Sequence, residues 1–259
     1  MTADSAGKDV GVDLAAVARL LADGSRADMC LALLDGRAWT ARELARYADV
    51  APSTATEHLN MLVGGGLLAE ERHGRHRYLR LADPKVMALI ESLAEVAPRR
   101  PPRPASLGAS GRTRALARAR LCYDHLAGIL GLAVTDAMVD NGLITWEPEP
   151  RLTPAGAAWA AENGIEPPTA SRRPLVRSCL DWTERRPHLG GAVGAAICSR
   201  ALEAGWVVKV GTGRALALTE PGRQVFHERF RVPTDRLPTG RTTTEPAVRS
   251  GRRSATESR

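Results

Sequence analysis

Residues 40–81, TARELARYADVAPSTATEHLNMLVGGGLLAEERHGRHRYLRL, constrain this chain more than any other stretch. Thr40 stands three residues before Glu43, a capping-box spacing that starts a helix. That helix, 42–48, buries Leu44, Ala45 and Ala48 on one side. Asp49-Val50-Ala51 forms a short turn, and Pro52 opens a second helix at a position where a missing N–H costs nothing. The second helix turns Ser53, Thr54, Thr56, Glu57, His58 and Asn60 outward and Ala55, Leu59 and Leu62 inward. Two short helices with hydrogen-bonding side chains on the second suit the reading of a DNA major groove.

A charged hairpin follows. After Gly64-Gly65-Gly66 come a strand over 67–72, a tip at His73-Gly74-Arg75 and a return strand over 76–81. Gly74 supplies the positive φ of a tight turn. Arg72, Arg75, Arg77 and Arg80, with His73 and His76, make the hairpin basic, as phosphate contact or minor-groove insertion requires. An isolated hairpin of this kind could equally be a solvated surface. Directly after two such helices, the reading is DNA contact.

Residues 12–97 resemble the ArsR/SmtB-type winged helix-turn-helix transcriptional regulators. The matching segments are 20–26, Glu43-Leu44-Ala45, 53–62 (with Thr56 in the second Ser place of Ser-x-x-Ser-x-His-Leu-x-x-Leu), Gly66-Leu67-Leu68 and 74–78. The resemblance covers about a third of the chain and implies a cytoplasmic homodimeric repressor on palindromic double-stranded operator DNA. It implies dimer contacts through helices 13–21 and 85–96, both of which carry an apolar stripe: Leu14, Val17 and Leu21, then Val86, Leu89, Ile90 and Leu93. The family's sensing sites are not matched. Ala45 and Tyr47 stand where arsenic-sensing members carry Cys-x-Cys, and residues 85–97 hold no His or Cys for a zinc site. Cys30, among Met29, Leu31 and Leu33, reads as a small core residue.

A length of 259 residues accommodates two domains. A net charge of +7 suits a polyanionic partner. There is no apolar run of membrane length and no secretory leader pattern, and four scattered cysteines fit a reducing compartment. The organisation expected is a flexible N-terminus over 1–11, the winged helix over 12–97, a Pro/Arg-rich linker over 98–113, a C-terminal sensor or scaffold domain over 114–231 and a disordered basic tail over 232–259.

The C-terminal domain carries an internal repeat at an offset of 63 residues. His125-Leu126-Ala127-Gly128 with Gly131, Ala133 and Gly142 matches His188-Leu189-Gly190-Gly191 with Gly194, Ala196 and Gly205. Each copy (114–165 and 175–231) is expected to run helix, helix, two-stranded wing and closing helix, entered by Leu152-Thr153-x-x-Gly156 or Leu218-Thr219-x-x-Gly222. The glycines after each His predict close helix–helix approach. The fold class expected is therefore mostly α with small β-wings (α+β): an N-terminal winged helix followed by two degenerate winged-helix-like units. The segments 133–138 and 195–199 lack a polar reading face, so a scaffold or sensor role is expected of them.

The chemical candidates in this domain are Cys122, Asp124, His125, Cys179, Asp181 and His188. Two thiols and one or two imidazoles suit a thiophilic metal ion, and two thiols alone suit a redox switch, with Arg185 and Arg186 lowering the Cys179 pKa. The competing reading makes each Cys a core residue and each Asp a helix cap. Separations of about 60 residues without a Cys-x-x-Cys pair favour that second reading, so no cofactor is assigned. A third reading is an apolar pocket for a small ligand lined by Trp146, Trp159, Trp182 and Trp206. Gly211-Thr212-Gly213 lacks the second half of a dinucleotide fingerprint, and there is neither a P-loop nor Gly-x-Ser-x-Gly, so no enzyme is expected. The alternatives are an architectural DNA coat and a regulator fused to an enzymatic or ligand-binding domain.

Overall fold

The computed structural model describes residues 12–74, 76–98, 107–167 and 173–239. The N-terminal segment 1–11, linker residues 99–106, Arg75 and the tail from 240 onward lie outside the described residues. The chain is mostly helical, with small antiparallel sheets.

Polar caps start the first helices. Asp13 accepts from Ala16 N at 2.9 Å to open α1 (Leu14–Leu21), and Asp23 accepts from Arg26 N at 2.9 Å to open α2 (Gly24–Ala32). A 3-10 turn, Leu33–Asp35, leads to β1 (Trp39–Thr40). The capping box at α3 (Ala41–Ala48) is complete: Thr40 Oγ1 accepts from Glu43 N, and Glu43 Oε2 accepts from Thr40 N at 2.8 Å. Asp49 ends α3 in the left-handed region at φ 56°. Pro52 occupies the first position of α4 (Pro52–Gly64). The hairpin β2 (Leu68–His73) and β3 (His76–Leu81) pairs in register, with His73 opposite His76. β1 adds to β3, giving the order β1-β3-β2. α5 (Pro84–Val96) starts on Asp83. Met29, Leu33, Leu34, Leu44, Leu59, Leu62 and Leu79 form the core beneath these elements, and Cys30 is buried among them as expected.

The linker ends sooner than its composition predicts, because 107–113 open α6 (Leu107–Arg118). Ser, Gly and Arg weaken the intrinsic helix signal there. Tertiary contact compensates: Leu116 is buried, and the Arg112 guanidinium lies 4.6 Å from the Trp39 ring centre.

Two runs of the same element order follow. The first is β4 (Arg120–Cys122), β5 (His125–Ala127), α7 (Gly128–Asp140), β6 (Ile144–Thr145), β7 (Arg151–Leu152) and α8 (Pro154–Glu162). The second is β8 (Arg177–Leu180), β9 (Pro187–Gly190), α9 (Gly191–Glu203), β10 (Val207–Lys209), β11 (Leu216–Leu218) and α10 (Glu220–Glu228). A hairpin stands in each run where the sequence suggested a first helix. Only three or four residues flank each hairpin turn, too few for a helix, and they pair across it instead. Local devices match between the runs. Gly128 and Gly191 have φ of +75° and +85°, and Thr153 and Thr219 each accept from the glycine N–H three residues on at 3.0 Å. The helical glycines do not meet a second helix as expected. A Cβ on Gly131 would sit 2.4 Å from Leu126 O, and one on Gly194 2.5 Å from Leu189 O, so they let each helix fold back on its own strand.

The runs pack crosswise, α9 on β5 and α7 on β9. Leu130, Met138, Val193, Ile197, Phe226 and Phe230 centre their common core. Val232 and Leu237 are buried in it, so the first residues of the expected disordered tail, 232–239, pack through a 3-10 turn at Thr234–Arg236. Two apolar side chains suffice to hold a segment whose composition is otherwise polar. The four tryptophans do not line one pocket: Trp159 and Trp206 pack on Phe230, whereas Trp182 packs against the winged-helix core. Arg214 seals the seam between the two regions. Its guanidinium donates to Leu34 O and Leu121 O and pairs with Glu91 at 2.8 Å, while its own N–H donates to Asp35 O.

A Cβ at Gly222 would lie 1.9 Å from Trp206 O, whereas at Gly64 it would meet nothing within 4 Å. Gly222→Ala is therefore expected to cost about 1–3 kcal/mol, and Gly64→Ala to gain about 0.4–1 kcal/mol. Urea unfolding midpoints check both. Equal shifts would mean that backbone packing does not decide the glycine at 222.

Candidate nucleic-acid interface and a buried cysteine–histidine cluster

α4 buries Ala55, Leu59 and Leu62, and this choice of face leaves Ser53, Thr56, Glu57 and Asn60 exposed with Thr54 half-buried. Two expected contact residues are engaged inside the protein. His58 is turned toward α2, with Nδ1 3.3 Å from the Arg26 guanidinium and Nε2 3.8 Å from Asp23. Arg77 reaches from β3 to donate to Asn60 Oδ1 at 2.9 Å and to Glu70. Arg77 thus clamps the hairpin to the reading helix and sets the angle between them. Thr56 Oγ1 donates back to Pro52 O at 2.8 Å. The hairpin is less basic than its arginines suggest. Glu70 and Glu71 lie on it, within 4.0 Å of Arg72, 3.8 Å of Arg80 and 3.6 Å of His73. His76 is exposed. Arg26, which the sequence did not single out, ties the start of α2 to α4, and no local spacing announces a contact 32 residues apart.

The second site lies where the two paired hairpins meet. Cys122 pairs directly across β4–β5 with His125, and Cys179 across β8–β9 with His188. One ligand atom from each of the four side chains lies within 4.8 Å of all the others. Cys122 Sγ and Cys179 Sγ are 3.8 Å apart, and His125 Nε2 and His188 Nε2 are 3.1 Å apart. Both imidazoles and Cys122 are buried, and Cys179 is partly so. Tyr123 turns the first hairpin at φ 58°, an unusual conformation for an aromatic residue, which brings Cys122 and His125 face to face.

Asp124 and Asp181 belong to the surroundings of this cluster. Asp124 Oδ1 lies 3.3 Å from His125 Nδ1, and the carboxylate is clamped by Arg173. Asp181 is buried and lies 3.0 Å from the equally buried Arg120. It caps a turn by accepting from Thr183 N and Glu184 N, and its second oxygen accepts from Gly128 N at the start of α7 at 2.7 Å. Burial by itself would push Asp181 up. The Arg120 guanidinium, the Thr183 hydroxyl and the Gly128 N–H override it and hold the carboxyl well below the usual range.

A shared hydrogen bond splits the two thiols. It pushes Cys122 up to about 11, with burial adding to the effect, and draws Cys179 down. The cation near Cys179 is Arg177, not Arg185 or Arg186. Arg186 pairs with Asp136, and Arg185 donates to Ala97 O. Cys30 and Cys198 are pushed up to about 12 by burial and behave as core thiols.

A polar helix beside a charged hairpin, over a core of two packed helices, defines a winged-helix DNA-binding protein. A family profile described as a helix-turn-helix domain matches residues 21–71. Over 223 residues the chain is 39% identical to the HTH-type transcriptional regulator YdfF of Bacillus subtilis, covering 85% of this chain and 98% of that one. Among solved structures, the homodimeric winged helix-turn-helix domain of Mb0332 from Mycobacterium bovis is 28% identical, covering 30% of this chain and 72% of that one at a TM-score of 0.29. The cadmium metal-sensor CmtR of Mycobacterium tuberculosis is 29% identical, covering 36% of this chain and 99% of that one, also at 0.29. The chain belongs to the HTH-type transcriptional regulators, with an ArsR-type winged helix near its N-terminus and a further region beyond it. Among the described residues no helix is long and apolar enough to cross a membrane.

Asp181→Asn leaves Arg120 buried without its counter-ion and is expected to cost about 3–5 kcal/mol. Because the native carboxyl is held low, its stabilisation is present above the unfolded value of about 3.9 and is lost as pH falls below that toward the native value. Unfolding free energies measured on either side of pH 4 are expected to fall steeply for the parent and less so for the variant. Parallel slopes would mean that Asp181 is not the group that titrates.

Proposed function

We propose that the protein is a homodimeric, sequence-specific repressor. Each protomer lays α4 in the major groove of one half of a palindromic operator and rests its wing on the phosphate backbone. The observation that carries this reading is the exposed face of Ser53, Thr56, Glu57 and Asn60 on a helix held beside the wing by Arg77. Thr54 borders that face, and Arg72, His73, Arg75 and His76 are the wing's candidate backbone contacts. Dimerisation through α1 and α5 is supported by apolar side chains left exposed on both: Leu14 on α1, and Leu89, Leu93 and Val96 on α5. A second copy of the same two helices would cover them isologously.

We read the C-terminal region as a pair of degenerate winged-helix-like units in a scaffold or sensor role. The matched glycine and threonine devices support the pairing, and the burial of most of α7 argues against DNA contact there.

Selection of fragmented genomic DNA by the reduced protein, followed by sequencing, tests the reading. A palindromic motif is the expected result, and retention of DNA without any enriched motif would instead indicate an architectural coat. Asn60→Ala or Thr54→Ala is expected to change operator preference by about 1–3 kcal/mol per lost base contact; uniform weakening on all sequences would make them phosphate contacts. Arg75→Ala is expected to reduce the salt slope of binding by about one unit, and an unchanged slope would remove it from the backbone contacts. Leu93→Glu is expected to give monomers by sedimentation and to abolish operator binding. A variant that remains dimeric would exclude α5 from the interface.

A further inference from the structure

We propose that Cys122, His125, Cys179 and His188 form a closed tetrahedral site for a thiophilic divalent metal ion of the zinc class. The distances carry the argument. With Zn–S bonds of about 2.3 Å and Zn–N bonds of about 2.0–2.1 Å, a tetrahedron separates two sulfurs by about 3.8 Å and two nitrogens by about 3.3 Å. Here the sulfurs are 3.8 Å apart and the Nε2 atoms 3.1 Å apart. A disulfide needs about 2.05 Å between its sulfurs, so the two hairpins hold the thiols at the spacing of shared ligation and not of a bond.

The surroundings fit the same chemistry. Both imidazoles aim Nε2 inward and Nδ1 outward. His125 Nδ1 faces Asp124 Oδ1 at 3.3 Å, and His188 Nδ1 faces Asp181 Oδ2 at 3.9 Å. The carboxylate within hydrogen-bond reach of His125 favours the proton on its Nδ1 and leaves the Nε2 lone pair for a metal, whereas His188 Nδ1 makes no hydrogen bond. Two thiolates neutralise a divalent charge, so a buried ion carries no net charge into the interior. Both thiols release a proton on ligation, which makes binding tighter as pH rises. Gly194 lets α9 come close to the His125 side chain, since a Cβ there would lie 3.3 Å from His125 Cβ. Two sulfurs and two nitrogens select zinc, cadmium or cobalt over magnesium or calcium, which take oxygen ligands.

The test uses the full chain, reduced and stripped with a chelator, titrated with Co²⁺ as a spectroscopic probe. The expected result is intense visible bands of tetrahedral cobalt with a thiolate-to-cobalt charge-transfer band, saturating at one ion per chain and bleached by Zn²⁺. Cys179→Ser is expected to remove roughly half of the charge-transfer intensity, whereas Cys198→Ser leaves it whole. Asp124→Asn is expected to weaken Zn²⁺ binding about 10–100-fold as a positioning residue, with the tetrahedral spectrum retained. Should the cysteine variant fail to fold, the parent still decides: Zn²⁺ is expected to raise its Tm and to shield Cys179 from a thiol reagent, mapped by mass spectrometry. A weak octahedral spectrum without charge transfer would overturn the proposal. So would an unchanged rate of Cys179 modification, or closure of a Cys122–Cys179 disulfide in air with Zn²⁺ in excess. None of these readouts depends on DNA binding.

Discussion

A buried carboxylate, Asp181, organises the C-terminal region. It neutralises Arg120 at the head of β4, caps the first N–H of α7, shapes the turn that follows β8 and stands behind His188. These elements come from both hairpin runs, so the two runs cannot separate without exposing a charge pair in an apolar interior. The residue after it, Trp182, bridges the two regions: it packs against the winged-helix core while the Arg120 guanidinium lies 5.0 Å from its ring centre. The same turn that balances the interior charge therefore also anchors one half of the molecule to the other.

The crosswise packing of α9 on β5 and α7 on β9 explains why the cysteine–histidine cluster lies at the centre of this region and not on one lobe. Each hairpin contributes one sulfur and one nitrogen from a directly opposed residue pair. Neither hairpin alone offers more than half of a tetrahedron. The turns differ in length, two residues separating Cys122 from His125 and eight separating Cys179 from His188, yet the register delivers the same pair to the same face. The longer turn keeps Asp181 buried and carries Trp182 and Arg185 outward to the winged helix.

The legible parts of the chain were those whose signals are local. The Thr40–Glu43 box, Pro52 at the head of α4 and Gly74 in the hairpin each act within four residues of themselves, and the elements they specify lie where their spacing puts them. β1 went unread because two residues carry no periodicity and only β3 gives them a partner. Composition misled at both ends of the C-terminal region. Arg112 on Trp39 stabilises a segment that looked like linker, and Val232 with Leu237 anchors one that looked like tail. The ligand-type residues were visible as residue types, but sequence separation could not bring together pairs 57 and 63 positions apart. Nor could it rank them: Asp124 and Asp181 looked equal to the cysteines and histidines, and only the hairpin register sets them behind the rings.

α5 has two occupied faces and belongs to both halves of the molecule. Glu91 on one side meets Arg214, and Ala97 O just past its end accepts from Arg185, while Leu89 and Leu93 point away into solvent. A helix moves as a rigid rod, because sliding it relative to itself would break its own hydrogen bonds. In the dimer proposed above, α5 would carry the C-terminal region on one side and the partner protomer on the other, one helix serving as a wall shared by two interfaces.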